Sequence, residues 1–410
     1  MRLRRQAAIR LASDLIGRGL SFGLAYVAQR LLGPADYGEL TVALATGFVL
    51  TTLTDLGLQI IVTREIAAQS SRADGEQIAN AGLTLKLLFS LPAALVLIVI
   101  SAGRPPAVQF GALIVGVSLL LNSIVEYFGY ALRGWQRADL EAVWLLAMRL
   151  LTAAGGGLAL FAGTGWAGLT AAYVGSAALT LLASTAWLSR QRDRYFVPRL
   201  TFDGLLQRRL LREALPLGGA IVVSIVYTRT AVFMLDAFTS TASVGVYGVA
   251  QKLTEPLAIV PAALMAAVFP VLSRTITQHG YAATRSLRVR TLGVLLAAGG
   301  AIAAAGAIGG PWLLDRLYGA PYREAAPVLQ VLVLALPLSF INYGLTHVLI
   351  ALNRQRLNLL FNVIVFGVNF VACSQWIPVQ GALGAALATL VSEGVLLTLC
   401  VWTLIRPVRG

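Results

Sequence analysis

Apolar residues run almost unbroken for about 20 positions at a time along most of this chain, the length a helix needs to cross a bilayer. Between the runs lie short clusters of Gly, Pro and charged residues that end one helix and begin the next. Segments of about 10 residues with alternating polarity, the mark of a membrane β-barrel, are absent. The pattern predicts an all-α polytopic membrane protein.

Twelve transmembrane helices are predicted. The first covers 7–31 and ends at Leu31-Leu32-Gly33-Pro34-Ala35-Asp36-Tyr37-Gly38, where Gly and Pro stop one helix and start another. The second covers 38–62. The others cover 83–102, 108–131, 141–162, 167–188, 214–237, 244–272, 291–314, 325–351, 357–374 and 381–405, with a blurred boundary near Leu313–Pro327. The opening Met1-Arg2-Leu3-Arg4-Arg5 resembles a signal-peptide n-region. The segment behind it is long, carries Asp14 and Arg18, and lacks a small-x-small cleavage site, so it is read as a retained first helix.

One polar interval is longer than any other. Between Ser189 and Glu213 it holds Arg190, Arg192, Arg194, Arg199, Arg208, Arg209 and Arg212 against Asp193, Asp203 and Glu213. The predicted organisation is therefore an N-terminal six-helix lobe (1–189), a basic cytoplasmic linker (190–213) and a C-terminal six-helix lobe (214–410).

Composition agrees: 58% hydrophobic and 12% charged, where a soluble chain carries roughly 25% charged residues. The net charge of +14 raises nucleic acid as a partner, but the surplus sits in short connectors on alternate sides of the runs. With the N-terminus inside, the inner connectors and termini hold 24 of the 32 Lys and Arg, and the outer loops only Arg30, Arg104, Arg316 and Arg323. That bias predicts a multi-pass protein of the cytoplasmic (inner) membrane with both termini cytoplasmic, including a short tail with Arg406 and Arg409. Cys373 and Cys400 lie in apolar runs, so neither a disulfide framework nor a metal site is expected.

The halves resemble each other. Tyr37-Gly38 opens span two and Tyr247-Gly248 opens span eight. Ala131-Leu132-Arg133-Gly134-Trp135-Gln136-Arg137 closes span four, and Ala351-Leu352-Asn353-Arg354-Gln355-Arg356 closes span ten, about 219 residues later. Gly165-Trp166-Ala167-Gly168 begins span six and Gly381-Ala382-Leu383-Gly384 begins span twelve. Six spans per repeat is an even number, so the repeats run parallel, which predicts two pseudo-symmetric six-helix lobes around a central cavity.

Charges inside spans cost about 2.5–3.5 kcal/mol each at a helix centre and persist by facing a cavity, pairing or snorkelling. Four bases are counted there: Arg18, Arg149, Arg229 and Lys252. Asp14 and Arg18, four residues apart, share a helical face and are expected to pair. Arg18 and Arg229 hold near-equivalent positions in the two halves. Lys252 and Glu255 form another candidate pair, beside Pro256. Arg149 has no local acid. Together these bases suit a phosphate or pyrophosphate, for which guanidinium forks are well shaped; structural ion pairing is the competing reading. Asp55, Glu126, Asp236 and Glu393 are candidates for ion coupling or charge pairing, and His347, Asn342 and Tyr343 for cavity lining or packing. No Walker loop, His-Glu-x-x-His or Gly-x-Ser-x-Gly is present, so no enzyme activity and no cofactor are expected.

Taken together, the basic N-terminus, the Leu31–Gly38 turn, Thr54-Asp55-Leu56-Gly57-Leu58, Arg133-Gly134-Trp135-Gln136-Arg137 and Gly381-Ala382-Leu383-Gly384-Ala385-Ala386-Leu387-Ala388-Thr389-Leu390 resemble the polysaccharide repeat-unit (O-antigen type) flippases. These belong to the multidrug/oligosaccharidyl-lipid/polysaccharide exporter superfamily. The resemblance implies translocation of an oligosaccharide on a polyprenyl pyrophosphate carrier, with membrane lipids and polysaccharide assembly proteins as further partners. It also implies a cationic cavity, to which Arg18 and Arg229 correspond. Two alternatives stand beside it: cation-coupled drug export, drawing on Asp14, Asp55 and Asp236, and a non-transporting scaffold of a polysaccharide assembly complex.

Overall fold

A computed structural model describes residues 2–405; the predicted tail arginines, Arg406 and Arg409, lie outside the described residues. Among these the chain forms thirteen α-helices and no strand: α1 Arg2–Asp55, α2 Leu58–Ala68, α3 Arg72–Ser101, α4 Pro106–Gly134, α5 Ala138–Phe161, α6 Gly165–Arg190, α7 Gly204–Phe238, α8 Thr241–Thr254, α9 Ile259–Ala283, α10 Arg285–Tyr318, α11 Ala325–Ala351, α12 Gln355–Gln380 and α13 Ala382–Ile405. Among the described residues eleven apolar helical stretches are long enough to cross a membrane, the first being Ala12–Ala68. That stretch leaves helical geometry at Gly33 (φ 79°, ψ 175°), directly before Pro34. It therefore holds two spans, and the total comes to about the twelve read from the sequence. The protein is a multi-pass helical membrane protein.

A second break was not foreseen. The span read as 38–62 is interrupted at Leu56 (φ 43°) and Gly57 (φ 77°). Packing explains the glycine: a Cβ on Gly57 would stand 2.9 Å from the backbone N of Gly218, and one on Gly218 would collide with the Leu56 carbonyl. Two glycines let the break lie directly on α7. In the second half, Pro256 sits in a 3₁₀ turn, Glu255–Ala258, between α8 and α9. The blurred stretch near Leu313–Pro327 resolves as α10 continuing through Pro311 to Tyr318, then a turn at Gly319 (φ 73°).

The repeat is visible in backbone detail. Left-handed residues, Gln136 (φ 58°) and Asn353 (φ 56°), follow α4 and α11. Arg137 N–H donates to Leu132 O and Arg354 N–H to Leu349 O, both at 2.9 Å, the six-to-one closure of a Schellman turn. These turns pair Gln136 with Asn353, two residues away from the match of Gln136 with Gln355 that the sequences suggest.

The chain divides into two compact units, Met1–Arg229 and Thr230–Gly410. The polar linker and most of α7 thus belong to the first unit. The linker is a strap held against α3. Val197 N–H donates to Glu76 Oε1 (3.2 Å), Arg199 N–H to Asn80 Oδ1 (3.0 Å) and Thr201 N–H to Thr84 Oγ1 (2.9 Å). Acceptors four apart on a helix rise about 6 Å per step; amides two apart on an extended chain rise about 6.6 Å. The near match lets every second amide find a partner. Trp135 stacks on Phe196 at 5.7 Å, and Arg137 bonds the Tyr195 hydroxyl, so the Arg-Gly-Trp-Gln-Arg segment serves as the strap's platform. Further along, Arg209 pairs with Glu65 and Arg64 with Glu213, fastening the start of α7 to α2.

Asn80→Leu strands the Arg199 amide and is expected to lower stability by about 1–3 kcal/mol. Arg199→Ala, which keeps that amide, is expected to change it by less than about 0.5 kcal/mol. Thermal melting of the purified protein in detergent checks the contrast; equal melting of the two variants contradicts the strap.

Candidate functional site

Inside the first unit, in-span charges meet across helices rather than along them. Asp14 does not pair with Arg18. Its Oδ1 lies 3.8 Å from Nη1 of Arg149 on α5. A Cβ at Gly17 would collide with the Arg149 side chain, so the glycine one turn along α1 clears the path by which Arg149 arrives. The base without a local acid has found a distant one.

Asp55, the last residue of α1, is paired by a residue that sequence reasoning missed. Lys86 on α3 is fully buried (0% exposed), with Nζ 3.7 Å from Asp55 Oδ1. The charge count placed Lys86 with the inner connectors; it belongs among the in-span bases. A signal was available, because Lys86 and Lys252 are the only lysines in the chain and Lys86 falls within the span read as 83–102. Glu126 on α4 lies within electrostatic reach of Lys86, Asp55 and Arg149. It also lines a cavity of about 210 Å³ shared with Arg10, Asp14, Tyr130, Arg133 and Glu141. Arg133 grips the buried Glu141 with both nitrogens of its fork and lies 3.9 Å over the Tyr130 ring, which fixes the cavity wall.

Arg18 and Arg229 differ from these. Among the described residues neither forms an ion pair, and Arg18 is exposed on the first arm of α1. The Arg229 guanidinium lies 5.3 Å over the Phe48 ring, and its Nε is buried without a hydrogen-bond partner. An aromatic face holds a cation in place without neutralising it, leaving the donor fork free for an acceptor.

In the second unit, Lys252 Nζ lies 3.4 Å from Glu255 Oε2, both partly exposed. Asp236 sits in the last turn of α7 and engages a neighbour. Asn342 donates to the Glu393 carboxylate (2.6 Å) and carbonyl (2.9 Å). His347 Nδ1 is 2.7 Å from Tyr343 O, its ring edge-on to Phe269. Among the described residues no three His, Cys, Asp or Glu converge as metal ligands.

The helical frame that carries these side chains is shared by known structures. A multidrug resistance MATE family transporter of the MOP superfamily, inward-facing, aligns with TM-score 0.74 at 17% identity over 98% of both chains. The lipid II flippase MurJ, inward closed, aligns with TM-score 0.74 at 15% identity over 97% of this chain and 87% of its own. A Vibrio cholerae MATE transporter aligns with TM-score 0.62 at 14% identity over 99% of this chain and 97% of its own. No curated protein sequence matches significantly. Residues 3–276 match the family described as polysaccharide biosynthesis protein, and the chain belongs to that family.

Lys86→Ala leaves Asp55 without its partner, and a loss of about 3–5 kcal/mol is expected. Lys86→Met combined with Asp55→Asn removes both charges and is expected to recover most of it. Melting temperatures of the single and double variants test the pair: a double variant no more stable than Lys86→Ala contradicts it.

Proposed function

We propose that the protein is a flippase that moves a polyprenyl-pyrophosphate-linked oligosaccharide across the cytoplasmic membrane by alternating access, for polysaccharide biosynthesis. One observation carries this reading. Asp14, Asp55 and Glu255 each have a base, whereas among the described residues Arg18 and Arg229 have no acid. An in-span guanidinium costs about 2.5–3.5 kcal/mol, and an anionic cargo supplies the missing counter-charge whenever it occupies the site. A pyrophosphate offers several acceptor oxygens to two forks. Lys252 and Arg149, each held by an acid, are the secondary contacts, released to the cargo only if their pairs open.

Membership of the polysaccharide biosynthesis family supports a saccharide cargo, and the likeness to a lipid II flippase supports a lipid-linked one. The protein acts as a transporter and not as an enzyme, with both termini cytoplasmic by the arginine count. Its partners are the lipid-linked oligosaccharide, membrane lipids and polysaccharide assembly proteins; nucleic acid is not among them.

Cation-coupled export is a second reading, favoured by Asp14, Glu126 and Glu141 around one cavity. Reconstitution separates the two. In proteoliposomes, the wild type is expected to flip a fluorescent polyprenyl-pyrophosphate sugar, and Arg18→Ala and Arg229→Ala to lose about tenfold each in rate at unchanged melting temperature. Export of a lipophilic cation down a proton gradient, with no movement of the sugar, would shift the assignment to drug export. Wild-type flipping retained by both variants would remove the arginines from the site, and a folded protein that moves neither cargo would favour the scaffold.

A further inference from the structure

We propose that a groove between α10, α11 and α13 in the second unit binds one anionic phospholipid of the cytoplasmic leaflet, its phosphate on Arg288 and an acyl chain beneath. The proposal is independent of the cargo assignment. From Pro256 to Leu314 the sequence contains no Asp or Glu, yet it carries Arg274, Arg285, Arg288 and Arg290. The last three stand in the first two turns of α10. Cations there face the positive end of the helix dipole, so they do not stabilise the helix, and no acid within that stretch neutralises them.

Arg288 is the one turned inward. It is half-buried, its guanidinium carbon lies 3.4 Å over the Tyr281 ring, and its Nε is buried without a hydrogen-bond partner. Below it opens a groove of about 200 Å³ walled by Leu292, Leu345, Val348, Val401 and Leu404. Apart from Arg288 and Tyr281, its lining is aliphatic. A fixed guanidinium above a short apolar channel has the polarity of a phospholipid standing in a leaflet, charge outward and hydrocarbon inward. Basic residues at the cytoplasmic membrane face attract anionic lipid over zwitterionic lipid, and the orphaned Nε gains an acceptor when a phosphate arrives. Val289 and Val401 on the rim are exposed, so a lipid can enter sideways from the bilayer.

The test uses the full-length protein in nanodiscs of equimolar phosphatidylcholine and phosphatidylglycerol, extracted gently and weighed by native mass spectrometry. The wild type is expected to retain one phosphatidylglycerol in preference to phosphatidylcholine by about tenfold. Arg288→Ala is expected to abolish the preference, and Val401→Trp, which fills the groove from an exposed position, to abolish retention of either lipid. Arg316→Ala removes an exposed charge at the other end of α10 and is expected to retain lipid as the wild type does. Equal retention of both lipids by the wild type overturns the proposal, as does undiminished phosphatidylglycerol on Val401→Trp, which decides the matter if Arg288→Ala fails to fold. Displacement of the phosphatidylglycerol by an equimolar polyprenyl phosphate would reassign the groove to the carrier lipid and overturn it too.

Discussion

An ionised side chain in hydrocarbon has to be paired, hydrated or kept for a ligand, and the interior of this protein is arranged by that constraint. Lys86 illustrates it. A lysine at 0% exposure in a membrane helix is tolerable because Asp55 stands 3.7 Å away on another helix. The same constraint draws Arg149 over Gly17 to Asp14 and locks Arg133 onto Glu141. Each pair ties two helices of the first unit together while it removes a charge from the lipid. Arg18 and Arg229 are conspicuous because the rule is so widely obeyed around them.

Backbone polar groups obey the same rule. Where α1 gives way to α2 at Leu56 and Gly57, the interrupted backbone lies against Gly218 of α7; irregular backbone at membrane depth is tolerated where protein covers it. The strap from Val197 to Thr201 solves the problem differently, giving its amides to side chains spaced four apart on α3. Fastened this way, the linker and most of α7 belong to the first unit, and the division of the chain falls within α7 at Arg229.

Much of this was legible in the sequence. Long apolar runs gave the helices and their class, Gly33-Pro34 marked the break in the first of them, and the matched segments that close spans four and ten end in like Schellman turns. What escaped were contacts between residues far apart in the chain. Asp14 and Arg18 share a helical face, so spacing alone pairs them; nothing local says that Arg149 arrives over Gly17 first. Lys86 was hidden because its acid lies 31 positions earlier on a different helix, and a lone lysine next to a polar connector reads as part of it. The linker's seven arginines drew attention to its charge, whereas its structural role lies in backbone amides, which leave no mark in composition.

The most direct test of the account is equilibrium binding of a polyprenyl pyrophosphate to purified wild type and to the Arg18→Gln, Arg229→Gln double variant, followed across a salt series. If the two unpaired guanidinium groups are kept for an anionic cargo, affinity falls by about a hundredfold in the double variant, tenfold for each fork, its salt dependence flattens, and its melting temperature stays at the wild-type value. A folded double variant that binds the pyrophosphate as tightly as wild type would contradict the account.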